Sequence, residues 1–371
     1  MRRNGFHSRT KPESGAGTAE DDIRTATLIA MSRQLRTLVV GAVLCLVLGT
    51  LSFGMRVPYL VESPGPTFNT LGKDGGKDII AISGHPVTPT TGHLNLMTVS
   101  ADTQNTTILG AVRGWLRHDE VVVPHDSLYP PGTSQQQQEE QNSQDFLVSQ
   151  QNAVEAAGCE LGYPKGLGVN SVATDSPNAA VLKGGDQFVS VTGTRITDDA
   201  GLRKILAAHQ AGDRLPVVVQ RAGKQVQATL VLQPPAADSS TPRIGITVVQ
   251  GCLLPFQVTL SLTGIGGPSA GLMFSLGIID KISTHDLTHG RFIAGTGTIE
   301  PSGKVGPIGG IALKMIAARR AGATLFLAPA TNCAEVQGNV PSGLEVIKVT
   351  SLHDAITNLD AHASGTAVTH C

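Results

Sequence analysis

The first strong pattern along the chain is an apolar block with no polar period. Residues 37–55, TLVVGAVLCLVLGTLSFGM, run 19 positions without a charge, between Arg36 and Arg56. A helix rising ~1.5 Å per residue would make this block ~28 Å long, close to the ~30 Å hydrocarbon core of a bilayer. A helix apolar on every face suits lipid better than a half-solvated surface, so an uncleaved transmembrane helix is expected. A buried core helix and a cleaved signal peptide are the rival readings. Against the second, the leader is 36 residues long and no A-x-A follows the block.

Beyond the block the pattern breaks into short strands. DIIAIS (78–83) and the alternating HLNLMTVS (93–100) are examples, with Pro64, Gly65 and Pro66 as punctuation before them. A Pro-Pro-Gly stop at 130–132 precedes a glutamine-rich stretch, 135–152, which runs on to Gly158. Its Gln, Glu and Ala favour helix, so a helical connector is expected, with flexible low-complexity sequence as the rival. Residues 166–233 then alternate strands and tight turns around one amphipathic segment. Asp198 or Asp199 is placed to cap a helix from Gly201 to His209, with Leu202, Ile205 and Leu206 on one face. Pro234-Pro235 through Pro242 reads as a linker. After it, RIGITVV and FQVTLSL read as strands that open a last domain, followed by an apolar helix starting near Ser269.

Composition narrows the classes. Charged residues are only 15%, hydrophobic ones 40%, and the net charge is −1, which leaves no bulk electrostatic case for nucleic acid. Seven Lys or Arg and four acids lie in the leader, whereas only Arg56 is basic between the block and Lys73. That asymmetry places the N-terminus in the cytoplasm and residues 57–371 outside. Five cysteines are too few for a disulfide scaffold, and no CxxC pair exists. Cys371 ends a tail of small residues that would fray unless tied down, so a Cys333–Cys371 disulfide is expected in an oxidising compartment. Cys159 and Cys252 are left unassigned.

Two motifs carry candidate chemistry. Gly266-Gly267-Pro268-Ser269-Ala270-Gly271 puts a serine among the unpaired N–H groups of a helix start, where an oxyanion can be received and glycines let a substrate backbone approach. Alone, it reads first as a plain helix cap, since serine is a favoured capping residue. Gly303-Lys304-Val305-Gly306-Pro307-Ile308-Gly309-Gly310 opens a second helix with Lys314 in its first turns, at the positive end of the dipole where a cation is least natural. A solvated helix lysine is the bland alternative. His285 and His289 sit in a turn-like THDLTHG with no helix to align them, and His118 and His125 flank a strand-like run. No metal site and no cofactor are expected from them.

Together these motifs resemble the proteolytic domain of the Lon family. The resemblance implies a serine–lysine dyad, with the nucleophile at Ser269 and the base at Lys314, 45 residues apart in sequence and joined by the fold. Thr296, in Gly295-Thr296-Gly297, matches a threonine kept close to that dyad, and the amides around Gly267 and Ala270 are the expected oxyanion donors. One departure is Gly266, where many Lon proteins carry an acid. Residues 166–233 resemble a bacterial PDZ domain through Gly166-Leu167-Gly168-Val169, Asp175-Ser176-Pro177 and Leu182-Lys183-x-Gly185-Asp186. That likeness makes the N–H groups of Leu167, Gly168 and Val169 the candidates for a peptide carboxylate, unless GLGV merely opens a strand.

The expected architecture is α+β and multidomain. It has a cytoplasmic basic leader (1–36), a single transmembrane helix (37–55) and an extracytoplasmic β-rich region with a helical connector (57–158). A PDZ-like β-rich module (159–235) and a Lon-type α/β proteolytic domain (243–371) follow. Val61-Glu62-Ser63-Pro64-Gly65-Pro66 belongs to the same resemblance, which is to membrane-anchored Lon-like proteases of bacteria. No G-x-x-x-x-G-K-[ST] occurs, so the implied activity is ATP-independent endoproteolysis of extracytoplasmic proteins or peptides. Oligomeric state is left open. A PDZ scaffold or regulator without catalysis is the alternative.

Overall fold

The computed structural model describes residues 18–102, 106–221, 223–236 and 240–371. The leader's basic residues from Arg2 to Lys11 lie outside them. Helix α1 (Thr18–Gly54) contains one stretch, Arg33–Gly54, long and apolar enough to cross a membrane, and none of that stretch is buried against the rest of the chain.

Strands β1 (Tyr59–Asn69), β2 (Ile80–Ser83) and β3 (His93–Ala101) follow, then α2 (Ile108–Leu116) and β4 (Val121–Pro124). Helix α3 (Gln135–Glu160) leads into a second group: β5 (Lys165–Val172), β6 (Gln187–Val191), α4 (Asp199–Ala207), β7 (Arg214–Arg221), β8 (Lys224–Val231) and β9 (Ile246–Cys252). The chain returns through β10 (Gln257–Leu260), α5 (Gly271–Ile282), β11 (Phe292–Gly295), α6 (Ile311–Ala321), β12 (Leu325–Pro329), β13 (Glu345–Val349) and α7 (Leu352–Ala363).

One six-stranded sheet draws on both flanks of the second group, in the order β13-β12-β11-β3-β1-β4. The parallel pairing of β11 with β3, Gly295 opposite Leu96, joins the two flanks. Residues 57–158, expected as a region of their own, thus supply half of the sheet that continues after residue 290. The partners lie about two hundred positions apart, beyond the reach of any local pattern. β1 and β3 pair antiparallel with a register shift between Pro64 and Thr67, where two prolines cannot donate to the ladder.

The second group forms its own sheet, β8-β7-β6-β5-β9, over a separate apolar core that includes Leu167, Phe188, Leu202 and Val219. Helix α4 starts at Asp199, two residues earlier than expected, because the side chain of Asp198 accepts from the Gly201 amide at 2.7 Å. β9, expected to open the last domain, instead pairs with β5 from Ile246 opposite Val172 to Cys252 opposite Lys165. The α+β multidomain architecture therefore has one unit inserted into the other. A disulfide between Cys159, near the end of α3, and Cys252, at the end of β9, closes the neck with Cα atoms 4.9 Å apart. A second, Cys333–Cys371, ties the last residue to the turn after β12.

Helix α3 is more than a connector. Ser134 and Gln137 exchange side-chain and backbone hydrogen bonds at its start, forming a capping box. Its Phe146 packs on Phe274 with ring centroids 5.9 Å apart, and Ala153, Ala156 and Ala157 are buried in the main core. Opposite it, α5 is buried from Gly271 to Lys281, as its largely apolar stretch from Leu272 to Ile279 requires.

Candidate active site

Ser269 lies in the turn just before α5, and three features hold that turn. Gly267 takes φ +82°, a conformation costly for any residue with a Cβ. Its amide donates to the Asn142 carbonyl of α3 at 2.8 Å, and the Pro268 carbonyl accepts from Ser149 Oγ of the same helix at 2.9 Å. Gly271 faces Ile299 so closely that a Cβ there would come within 2.5 Å of it. The nucleophile candidate is therefore braced from α3, a contact that no local motif announces.

Lys314 sits one turn into α6, which Gly310 opens with φ +67°. Its ammonium end is buried, the residue being 4% exposed, and lies 2.8 Å from Ser269 Oγ and 3.1 Å from Thr296 Oγ1. Thr296, itself buried, donates to the Ser269 carbonyl at 3.1 Å. With its only proton committed there, the threonine oxygen can only accept from lysine. Burial pulls the Lys314 pKa from 10.5 down to about 8, against an opposing pull from Glu62 on β1. Glu62 is in turn raised above the usual carboxylate range by burial, with Lys314 acting the other way. No local pattern gives Glu62 a role, because only the β1–α6 packing brings it toward the lysine.

Ser269 and Lys314 line a cleft of about 700 Å³, bounded by residues 96–101 of β3, by 264–270 and by 307–309. β11 pairs with β3 only as far as Leu96, so Met97 to Ala101 have no strand on that side among the described residues.

Two expected roles need correction. The Gly267 amide is engaged by Asn142 and is unavailable to an oxyanion. Ala270 does sit at the N-cap of α5, where amides lack intrahelical partners. In the inserted unit, Leu167, Gly168 and Val169 cannot form an open carboxylate pocket. β5 is an interior strand between β6 and β9, Leu167 and Val169 are buried, and the Val169 amide and carbonyl bond to Asp186 and Gly185. β9 is an edge strand of this sheet, and the Asp199 amide at the start of α4 donates to its Gln250 side chain at 3.2 Å.

His285 and His289 do come together, both directing Nε2 to Asp360 Oδ1 on α7, at 2.7 and 3.4 Å. Both histidines are exposed, and they follow the C-terminal end of α5, whereas Ser269 precedes its start.

Residues 262–360 match the family model of the Lon protease (S16) C-terminal proteolytic domain, and residues 136–232 match a PDZ domain model. The chain carries a Lon-type proteolytic domain and a PDZ domain. The Lon-type part is 38% identical over 93 residues to the Lon protease of Heliobacterium modesticaldum, covering 24% of this chain and 11% of that one. It is 33% identical over 95 residues to Lon protease 2 of Bacillus subtilis, covering 26% and 17%. The match to these curated relatives thus spans less than a fifth of their length. The PDZ part is similar to the crystal structure of the PDZ domain of an SdrC-like protein from Listeria monocytogenes, at 30% identity over 23% of this chain and 87% of that one, with a TM-score of 0.22. The PDZ match begins at 136 and so includes α3, the helix that also braces the turn of the Lon-type domain.

Proposed function

We propose that the protein is a membrane-anchored serine endopeptidase that needs no ATP, with Ser269 as nucleophile and Lys314 as general base. The observation that carries this reading is the buried lysine amine 2.8 Å from the serine hydroxyl in an open cleft. Neutral Lys314 takes the Ser269 proton as Oγ attacks the peptide carbonyl, then returns it to the leaving amine. Thr296 holds one lysine N–H, which keeps the lone pair on the serine. The amides of Ser269 and Ala270 receive the oxyanion. Water, activated by the same lysine, then releases the acyl group. The substrate strand lies along Met97 to Ala101, the unpaired side of β3. A lysine desolvated to this degree costs a scaffold stability and serves it nothing, which weighs against the non-catalytic alternative.

The leader's positive charge and the apolar span support a cytoplasmic N-terminus, with the protease outside. Two disulfides fit that oxidising side. The inserted unit supplies peptide selection by strand addition to the open edge of β9 beside α4. Ser269→Ala and Lys314→Arg should each abolish cleavage of casein or a peptide pool while circular dichroism stays that of the parent. Lys304→Ala should be mild, since Lys304 is exposed and pairs only with Glu300 in the described structure. A Lys314→Arg protein that cleaves as fast as the parent would sink the mechanism.

A further inference from the structure

Helix α2 presents an apolar face that is left largely uncovered among the described residues. Its Ala111 and Gly114 are buried, with Gly114 packed on Val122 of β4 and Val61 of β1. On the opposite side Leu109 is 43% exposed, Val112 40%, Trp115 64% and Leu116 76%. These positions recur at helical spacing, so they form one stripe. Exposed Val121 of β4 and exposed Phe53 and Met55 at the end of the apolar span add to the set of uncovered apolar side chains in this region. A contiguous patch of large apolar side chains on a folded domain marks an interaction surface.

Where that surface sits says what covers it. The Ile108 amide, the first of α2, donates to the Met55 carbonyl at 3.2 Å, directly beyond the span. The Val57 amide donates to Thr106, the Thr106 amide to Tyr59, and Arg56 bridges to Thr107. The helix start is thus bolted to the point where the chain leaves the span, and nine residues at ~1.5 Å each keep its far end within ~14 Å of it. Arg113 and Arg117 both pair with Glu120, Asp119 pairs with Arg320, and Arg56 stands beside the junction, so arginines flank the patch. An apolar stripe with a tryptophan, flanked by arginines, is the composition of a helix that lies in the headgroup region of an anionic bilayer.

We propose that α2 is an interfacial helix whose Leu109, Val112, Trp115 and Leu116 insert into the same bilayer that α1 enters, seating the Lon-type domain on the membrane surface. This rests on the anchor reading above, and the two are separable by experiment. The chain has a single tryptophan, so its fluorescence reports on this helix alone. The full chain is reconstituted into phosphatidylcholine–phosphatidylglycerol vesicles whose acyl chains carry bromine near the headgroup, bromine near the chain end, or none. Emission should fall about twofold or more with shallow bromine and less with deep bromine. A Val112→Glu, Leu116→Glu variant should lose that quenching and remain in the vesicles after a carbonate wash. Equal emission in all three lipids from a chain that survives the wash overturns the interfacial assignment, as does a blue-shifted but unquenched tryptophan, which would mean a second copy covers the face. A chain that the wash removes refutes the anchor. Quenching seen before that wash still supports α2 as a lipid-binding helix, and its absence removes both claims.

Discussion

If Lys314 is the base, the pH at which the enzyme works is set by how dry that lysine is. With a pKa of about 8, roughly one molecule in eleven has a neutral Lys314 at pH 7, against ~3 in 10,000 for a lysine at its ordinary 10.5. Burial therefore raises the population of the active form about 300-fold at neutral pH. The neutral form is the competent one, so kcat/KM should climb about tenfold per unit at acid pH, reach half its limit near 8 and level off above about 9. Initial rates on an internally quenched peptide, taken with the full chain from about pH 5.5 to 9.5, give the profile. Lys314→Arg should stay flat near zero throughout, because arginine does not deprotonate in this range. A parent profile that is flat or falls through this window would refute the assignment. The same shift has a stability counterpart. The unfolded chain holds the lysine proton up to about 10.5 and the folded one only to about 8, so stability rises with pH between those values. Below about 8 the folded state carries the whole penalty, about 3 kcal/mol. Lys314→Met should therefore raise the melting temperature at pH 7, and the gain should shrink as pH climbs toward 10.5.

Glu62→Gln removes the charge that holds the Lys314 pKa up, so the rate profile should move to lower pH and activity at pH 7 should increase; a shift the other way would contradict the electrostatic coupling. Thr296→Val should lower kcat far more than KM, and Thr296→Ser should restore most of it, because only the hydroxyl orients the lysine. Cys159→Ser opens a loop closed across 93 residues and should cost on the order of 4–5 kcal/mol, read as a lower urea midpoint that added reductant reproduces in the parent. Chelators and omission of ATP should leave peptide cleavage unchanged, since the proposed proton carrier is an amine; a rate restored by added zinc after chelation would count against that.

The parts legible in sequence were those written in neighbouring residues. The apolar span, the capped helix at Asp198 and the glycine-framed turns around Ser269 and Gly310 each declare themselves within a dozen positions. The closeness of Ser269 and Lys314 came from family resemblance, since 45 intervening residues carry no spacing rule. Pairings between distant segments stayed hidden. β3 and β11 meet across the inserted unit, so the first strands looked like a separate region. β9 alternates like any strand, and nothing local says that it pairs backward to β5 and becomes the open edge. The PDZ resemblance put the expected peptide site at Leu167, Gly168 and Val169, which the extra strand turns into interior positions. Glu62 and Asn142 act through packing between helices and sheet, which has no linear signature.

The neck at Cys159 and Cys252 also bears on how such a chain can be remodelled. Two ends 4.9 Å apart are no farther than a tight turn spans, so the parent sheet sees the whole inserted unit as one long loop returning to its own start. A unit attached that way is exchangeable. Its edge strand β9 can be swapped, recoded or replaced by a short turn, while Ser269 and Lys314 stay on elements that it never enters. New substrate ranges can then arise without renegotiating the chemistry, provided that α3, which serves both units, is left in place.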